Sequence, residues 1–202
     1  MPAKEFEMEA KVMTRKGEYV QDPPFVQKLF NHTASAWLWL ALRLWLGYQW
    51  IEAATHKLDN PAWVETGDAI KGFWSSIVVI PETGRPPIAF DWYRNFIQGL
   101  LDANAHTWFG PMVAYGELII GVALILGAFT GITAFFGAFM NWNFMMAGSA
   151  STNPVLLLVA VLLILAWKVS GYIGADFFLL RWLGTPWRGQ KVQEFEVMPK
   201  PA

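Results

Sequence analysis

The chain alternates between long apolar blocks and short polar breaks. From Thr107 to Trp167, Glu117 is the only charged residue. A soluble fold would not leave so long a stretch bare of charge, so the pattern implies a lipid bilayer. Four blocks have the length a bilayer demands, about 20 residues at 1.5 Å rise for a roughly 30 Å hydrocarbon core. They cover residues 34–56, 108–129, 131–150 and 154–174. The last opens on Pro154, a favoured first helical position. Thr130-Gly131 joins the second block to the third, and Gly148 to Pro154 joins the third to the fourth, so these blocks are antiparallel neighbours. A β-barrel is excluded because its strands alternate in hydrophobicity. The predicted fold is all-α: a four-helix transmembrane bundle, residues 34–180, with an extended, partly helical external loop at 57–106. A polar tail, 1–33, precedes it and a second tail, 181–202, follows.

The loop carries its own pattern. Residues 68–80 and 90–105 mix apolar and polar positions at helical spacing, and Glu82-Thr83-Gly84-Arg85-Pro86-Pro87 separates them. In the second segment Phe90, Tyr93, Ile97, Leu100 and Leu101 fall on one side, as in a helix that caps a bundle or lies at an interface. Such a cap either seals the outer face or serves as a substrate lid. The tail up to Pro24 reads as irregular.

Charge sets the orientation. Lys4, Lys11, Arg15, Lys16 and Lys28 precede the first block, and Lys168, Arg181, Arg188, Lys191 and Lys200 follow the last apolar run. The long loop has four basic and six acidic residues, so the positive-inside bias puts both termini in the cytoplasm. The polar N-terminal segment lacks the apolar core of a cleavable signal, and the first span itself is expected to serve as the targeting signal. Overall the chain has 15 basic and 16 acidic residues in 202, which offers no electrostatic reason to expect a nucleic-acid partner. The expected partners are the lipid bilayer and other membrane subunits.

Two charges lie deep, where each costs about 2.5–3.5 kcal/mol even on the lenient insertion scale. Arg43 and Glu117 enter from opposite faces and, counted from the predicted span ends, their depths differ by about 5 Å. Gly110, Ala114, Glu117 and Gly121 form a small-residue stripe, as do Thr130, Ala134, Gly137 and Asn141, and such stripes let helix backbones approach in lipid. Arg43, Gly47, Trp50, Ala54 and Lys57 share a face of the first span. Glu52 and His56 share another and are spaced to pair. Two readings follow. Arg43 and Glu117 form a buried pair, with Asn141 and Asn143 hydrogen-bonding across helices; or these groups line a polar pocket for a headgroup, a quinone ring or a proton-transferring acid.

Other chemistry is narrowed by composition. No cysteine is present, which excludes disulfides, thiolate nucleophiles and Cys-held metals. The three histidines have no metal-ligand spacing, and only an external site from Glu52, His56 and His106 is conceivable. No nucleotide-binding motif occurs. Of the 12 tryptophans, Trp37, Trp39, Trp63, Trp108, Trp167, Trp182 and Trp187 fall near span ends, where interfacial indoles are expected. Trp45, Trp50 and Trp142 are deeper and suit packing or stacking on a flat ring.

Four groups of residues together resemble the DoxX/DoxD-like family of bacterial and archaeal membrane proteins. They are Leu42-Arg43…Gly47-Tyr48-Gln49-Trp50…Lys57-Leu58, the run Gly116 to Gly127, Asn141-Trp142-Asn143…Asn153-Pro154, and Gly171 to Asp176. The resemblance implies four membrane helices in a prokaryotic inner membrane. Some members act as the large subunit of a thiosulfate:quinone oxidoreductase; others are partners of membrane redox enzymes. On that basis Glu117 and Arg43 are the expected catalytic residues; from their depth in the spans, Trp50, Trp142 and Asn141 are the expected binding residues for a quinone. No metal or nucleotide cofactor is expected. The alternative is a non-catalytic accessory subunit of a larger respiratory or photosynthetic complex.

Overall fold

The computed structural model describes residues 12–13, 15, 19–20 and 22–184, and most of these are helical. The distal basic residues of both tails, and Trp187, lie outside the described residues. The expected irregular tail contains a short antiparallel ribbon, β1 (Val12–Met13) with β2 (Tyr19–Val20). Pro24 does not end an irregular segment but opens helix α1 (Pro24–Phe30), where its missing N–H costs nothing. A 3-10 turn (Thr33–Ser35) then leads into α2 (Ala36–Leu58).

Three helices make up the long loop between α2 and the next long helix: α3 (Pro61–Val64), α4 (Asp68–Ile77) and α5 (Asp91–Asp102). Next come α6 (His106–Leu126), α7 (Thr130–Met146), α8 (Asn153–Leu165), α9 (Trp167–Ser170) and α10 (Asp176–Trp182). Gly127, at φ 69°, ends α6 in the left-handed conformation that glycine adopts without steric cost.

Among the described residues, α6 is the one helix both long and apolar enough to cross a membrane. Helix α2 has 23 residues but carries Arg43, Glu52 and Lys57. Helix α7 has 17 residues, and α8 stops after 13, short of the predicted fourth span. Its break at Ala166 leads into the turn that, with the 171–176 loop, wraps Arg43.

The long helices pack as two close pairs, α2 on α6 and α7 on α8. The small-residue stripes drive this. A Cβ placed on Gly121 would come within 2.9 Å of the Ile51 nitrogen and 3.0 Å of the Gly47 carbonyl, so both glycines are needed for the approach. The two pairs meet over a core that includes Trp39, Leu46, Trp50, Leu124, Ala134, Ala160 and Leu163. Trp39 is therefore not interfacial: it is buried and donates its indole N–H to the Leu29 carbonyl at 2.9 Å, holding α1 on the bundle.

The long loop is folded rather than extended. Ile70, Trp74 and Ile77 of α4 and Tyr93 and Ile97 of α5 form a second core with Ile88, Val113 and Ala147. Phe90 leaves the predicted face and is exposed, because it precedes α5 in extended backbone and helical spacing does not apply to it. The Tyr93 hydroxyl donates to the Asn143 carbonyl at 3.1 Å, and burial pushes its phenol up to about 12.

Candidate functional site

Two polar centres are buried in this frame, one toward each end of α2. The first is built on Arg43, which is only 1% exposed. Its Nη1 donates to the Ser170 carbonyl at 3.2 Å and its Nη2 to the Ile173 carbonyl at 2.8 Å. Asp176, also fully buried, accepts the Phe129 and Thr130 backbone N–H groups at 2.5 and 2.8 Å, satisfying donors at the start of α7. Asp176 acts on Arg43 electrostatically without a direct ion pair. Glycines let these charges close up: a Cβ on Gly127 or Gly174 would collide with the Arg43 guanidinium, and one on Gly171 with the Asp176 carboxylate. Phe129, a non-glycine at φ 47°, is held in this strained conformation by its bond to Asp176. Arg43 anchors the loop from Ser170 to Asp176, and neither it nor Asp176 lines the cavity described below.

The expected Arg43–Glu117 pair does not form. Helical side chains lean toward the N-terminus of their helix. Arg43 thus leans away from the middle of α2, toward the knot. On the antiparallel α6, Glu117 leans toward the opposite end of α2, where Lys57 leans inward to meet it. The Gly47–Gly121 contact sets a register that adds to this offset, which a count from predicted span ends does not include. The Lys57 Nζ donates to Glu117 Oε2 at 2.7 Å and to the Ala53 carbonyl at 3.3 Å, and lies 5.3 Å from the Trp63 ring centre. Glu117 is 1% exposed, whereas the Lys57 side chain is 19% exposed. Lys57 was legible as a face-mate of Trp50; its role depends on side-chain lean and helix register.

Lys57 and Glu117 border a cavity of about 1070 Å³ between the helix pairs, roofed by α4 and α5. Trp50 and Asn141 line it too. Asn141 is 0% exposed, and neither its amide oxygen nor its amide nitrogen has a hydrogen-bond partner; the buried Trp50 indole N–H has none either. Unpartnered buried polar groups cost about 1–3 kcal/mol each, so three on one cavity wall call for an explanation. The expected cross-helix bond from Asn141 is absent. Asn143 instead bonds the Phe139 carbonyl of its own helix and accepts from Tyr93.

Trp142 does not line the cavity. It faces outward, half-exposed and stacked between Trp92 and Phe139. Glu52 and His56 line the cavity but form no ion pair with each other among the described residues. Among the described residues no group of three or more His, Cys, Asp or Glu side chains could hold a metal ion, so the expected site of Glu52, His56 and His106 does not assemble.

Residues 38–150 match the DoxX family, more than half of the 202-residue chain. The chain belongs to the DoxX family. It is accordingly a membrane protein whose surroundings are a lipid bilayer. The matched segment of this DoxX chain runs from the start of α2 to the turn after α7, and so contains Glu117, Lys57, Trp50, Asn141 and Arg43. The carbonyls and carboxylate of the Arg43 knot, residues 170–176, lie beyond it. No curated protein and no solved structure matches the chain.

Proposed function

We propose that this DoxX protein is a quinone-binding subunit of a membrane oxidoreductase of the thiosulfate:quinone type. In this reading α2, α6, α7 and α8 all lie in the inner membrane of a prokaryotic cell, with both termini cytoplasmic and α3 to α5 on the outer face. The shortness of α7 and α8 is then made up by the turns that continue them. The observation that carries the reading is the cavity whose wall presents an unpartnered asparagine amide and an unpartnered indole N–H beside a buried acid–base pair. A small number of convergent polar groups in an otherwise apolar, aromatic cavity is what a flat, weakly polar ring requires.

Trp50 Nε1 and Asn141 Nδ2 are the donors for a ring carbonyl, and Asn141 Oδ1 is the acceptor for a ring hydroxyl. Asn141 therefore suits both redox forms of such a ring. A bound quinone would supply a two-electron, two-proton couple. Glu117 and Lys57 would hold and exchange protons at the cavity wall: Glu117 faces the dry interior, while Lys57 keeps one side toward the outer surface. Arg43, in the separate knot, keeps a positioning role for the loop that it binds. With no cysteine in the chain, sulfur chemistry at this site proceeds without a protein-bound persulfide.

The test is titration of the full chain in nanodiscs with decylubiquinone, followed by quenching of tryptophan fluorescence. Saturable quenching is expected, weakened at least tenfold in Asn141→Leu, about the worth of one good hydrogen bond. Absence of saturable quenching in the unaltered chain refutes the quinone reading. Saturable binding with no thiosulfate-dependent quinone reduction by the isolated chain assigns catalysis to a partner and favours the accessory-subunit alternative.

A further inference from the structure

The exposed parts of the cavity lining fall into two sets of unlike chemistry, taken here as its two openings. Along the cleft between α6 and α7 its lining residues Met112, Ile119, Ile132, Phe136 and Phe139 are all apolar and all exposed. Between α2 and the turn joining α7 to α8 the lining residues include the half-buried Gln49 and the exposed Glu52, His56, Ser151 and Thr152. Trp50, Asn141 and the Lys57–Glu117 pair belong to the same cavity, but unlike either set they are buried or nearly so. The polar groups needing partners are thus not at the mouths but inside.

The volume of about 1070 Å³ is at or above the roughly 300–1,000 Å³ that houses a drug-sized molecule. One ring with its polar substituents leaves most of that space unfilled, and the walls of the remainder are isoleucine and phenylalanine. In a bilayer, side chains as exposed as Ile119 (66%) and Ile132 (61%) face acyl chains. Moving a hydrocarbon tail from lipid into the α6–α7 cleft exchanges one apolar surrounding for another, with no desolvation barrier. A tail leaving through the polar opening would be placed against Glu52, His56 and exposed hydroxyls.

We propose that the occupant is a tailed amphiphile that enters sideways from the bilayer, its head at Trp50 and Asn141 and its tail lying out through the α6–α7 cleft. The polar opening serves water and protons and not the ligand. This rests on the reading of the cavity as a ligand site, and not on the ligand's being a quinone.

The experiment uses the full chain in nanodiscs and a phenol carrying a decyl tail with a diazirine midway along it. Its hydroxyl both donates and accepts, as the Asn141 amide requires. After illumination, adducts are expected on peptides containing Ile119, Ile132 or Phe136. Their yield is expected to fall at least fivefold in Ile119→Trp/Ile132→Trp and to be unchanged in Ser151→Trp. Adducts concentrated at Gln49, Ser151 or Thr152, or a yield indifferent to the paired tryptophans in a variant that keeps the native melting temperature, overturn the proposal. Labelling at α6–α7 that decylubiquinone does not compete away removes the quinone and keeps the lateral tail. Quinone quenching with the label at the polar opening does the reverse.

Discussion

The contact most informative to perturb is the one between Lys57 and Glu117, because its two partners have unequal access to water. In Lys57→Met, Glu117 stays in a site where it is 1% exposed, without its only ion-pair partner among the described residues. It then either keeps an unpaired buried charge or takes up a proton. Protonating an ordinary glutamate, with its value near 4.3, costs about 3.7 kcal/mol at pH 7. That caps the penalty and agrees with the roughly 3–5 kcal/mol typical of breaking a buried pair from one side. In Glu117→Gln the remaining lysine, 19% exposed on a flexible stem, reaches water while keeping the Ala53 carbonyl and the Trp63 face. The expected cost is about 1.5 kcal/mol, that of one hydrogen bond to a charged group.

The two variants also respond differently to pH. The penalty in Lys57→Met arises because the unfolded chain releases a proton that the folded chain keeps. It shrinks as pH falls, by about 1.4 kcal/mol per unit down to the ordinary glutamate value. Going from pH 7 to 5.5 should restore about 2 kcal/mol in that variant and little in Glu117→Gln. The assay is unfolding in mixed micelles with rising dodecyl sulfate, followed by tryptophan fluorescence at both pH values. If Glu117→Gln is at least as destabilised as Lys57→Met, or Lys57→Met does not respond to pH, the burial asymmetry does not govern the pair and the argument is wrong.

Three further outcomes are expected. Gly127→Ala should lower the melting temperature by several degrees, since it forces a side chain into positive φ and into the Arg43 guanidinium; Gly72→Ala, in open space on α4, should raise stability by about 0.5–1 kcal/mol. Asp176→Asn keeps the shape but gives up the carboxylate that caps α7, and should cost about 1–2 kcal/mol in the same micelle assay, with little dependence on salt because the group is buried. Tyr93, pushed up to about 12, should ionise in an ultraviolet titration well above the pH of about 10 at which a free phenol does, and that late step should vanish in Tyr93→Phe. Its folded value exceeds its unfolded one, so its contribution is complete below about pH 10 and lost as pH rises through 12; Tyr93→Phe should remove that alkaline loss.

Local composition settled much of this protein. The low charge between Thr107 and Trp167 and the small-residue stripes determined that long apolar helices would pack with their backbones close. The bulk of α2, α6 and α7 lies within a few residues of where apolar length placed them. The buried positions Tyr93 and Ile97 of α5 followed from 3.6-residue periodicity, since a helix in contact with a core must turn its apolar side inward. That Glu117, Trp50 and Asn141 belong to one buried region was likewise legible from the faces they share with glycine and alanine.

Tertiary structure decided which charge meets which. Counting residues from a predicted span end measures depth along one helix, whereas partner choice depends on the register between two helices and on the lean of the side chains. The Gly47–Gly121 contact fixes the register, and the N-terminal lean carries Arg43 away from Glu117 and Lys57 toward it. Asp176, distant in the chain from Arg43 and from the start of α7, becomes relevant to both only because the loop after α9 folds back over the end of α6. The cavity has the same origin: two well-packed helix pairs meet less closely between α6 and α7 than within each pair, and no single helix carries that information.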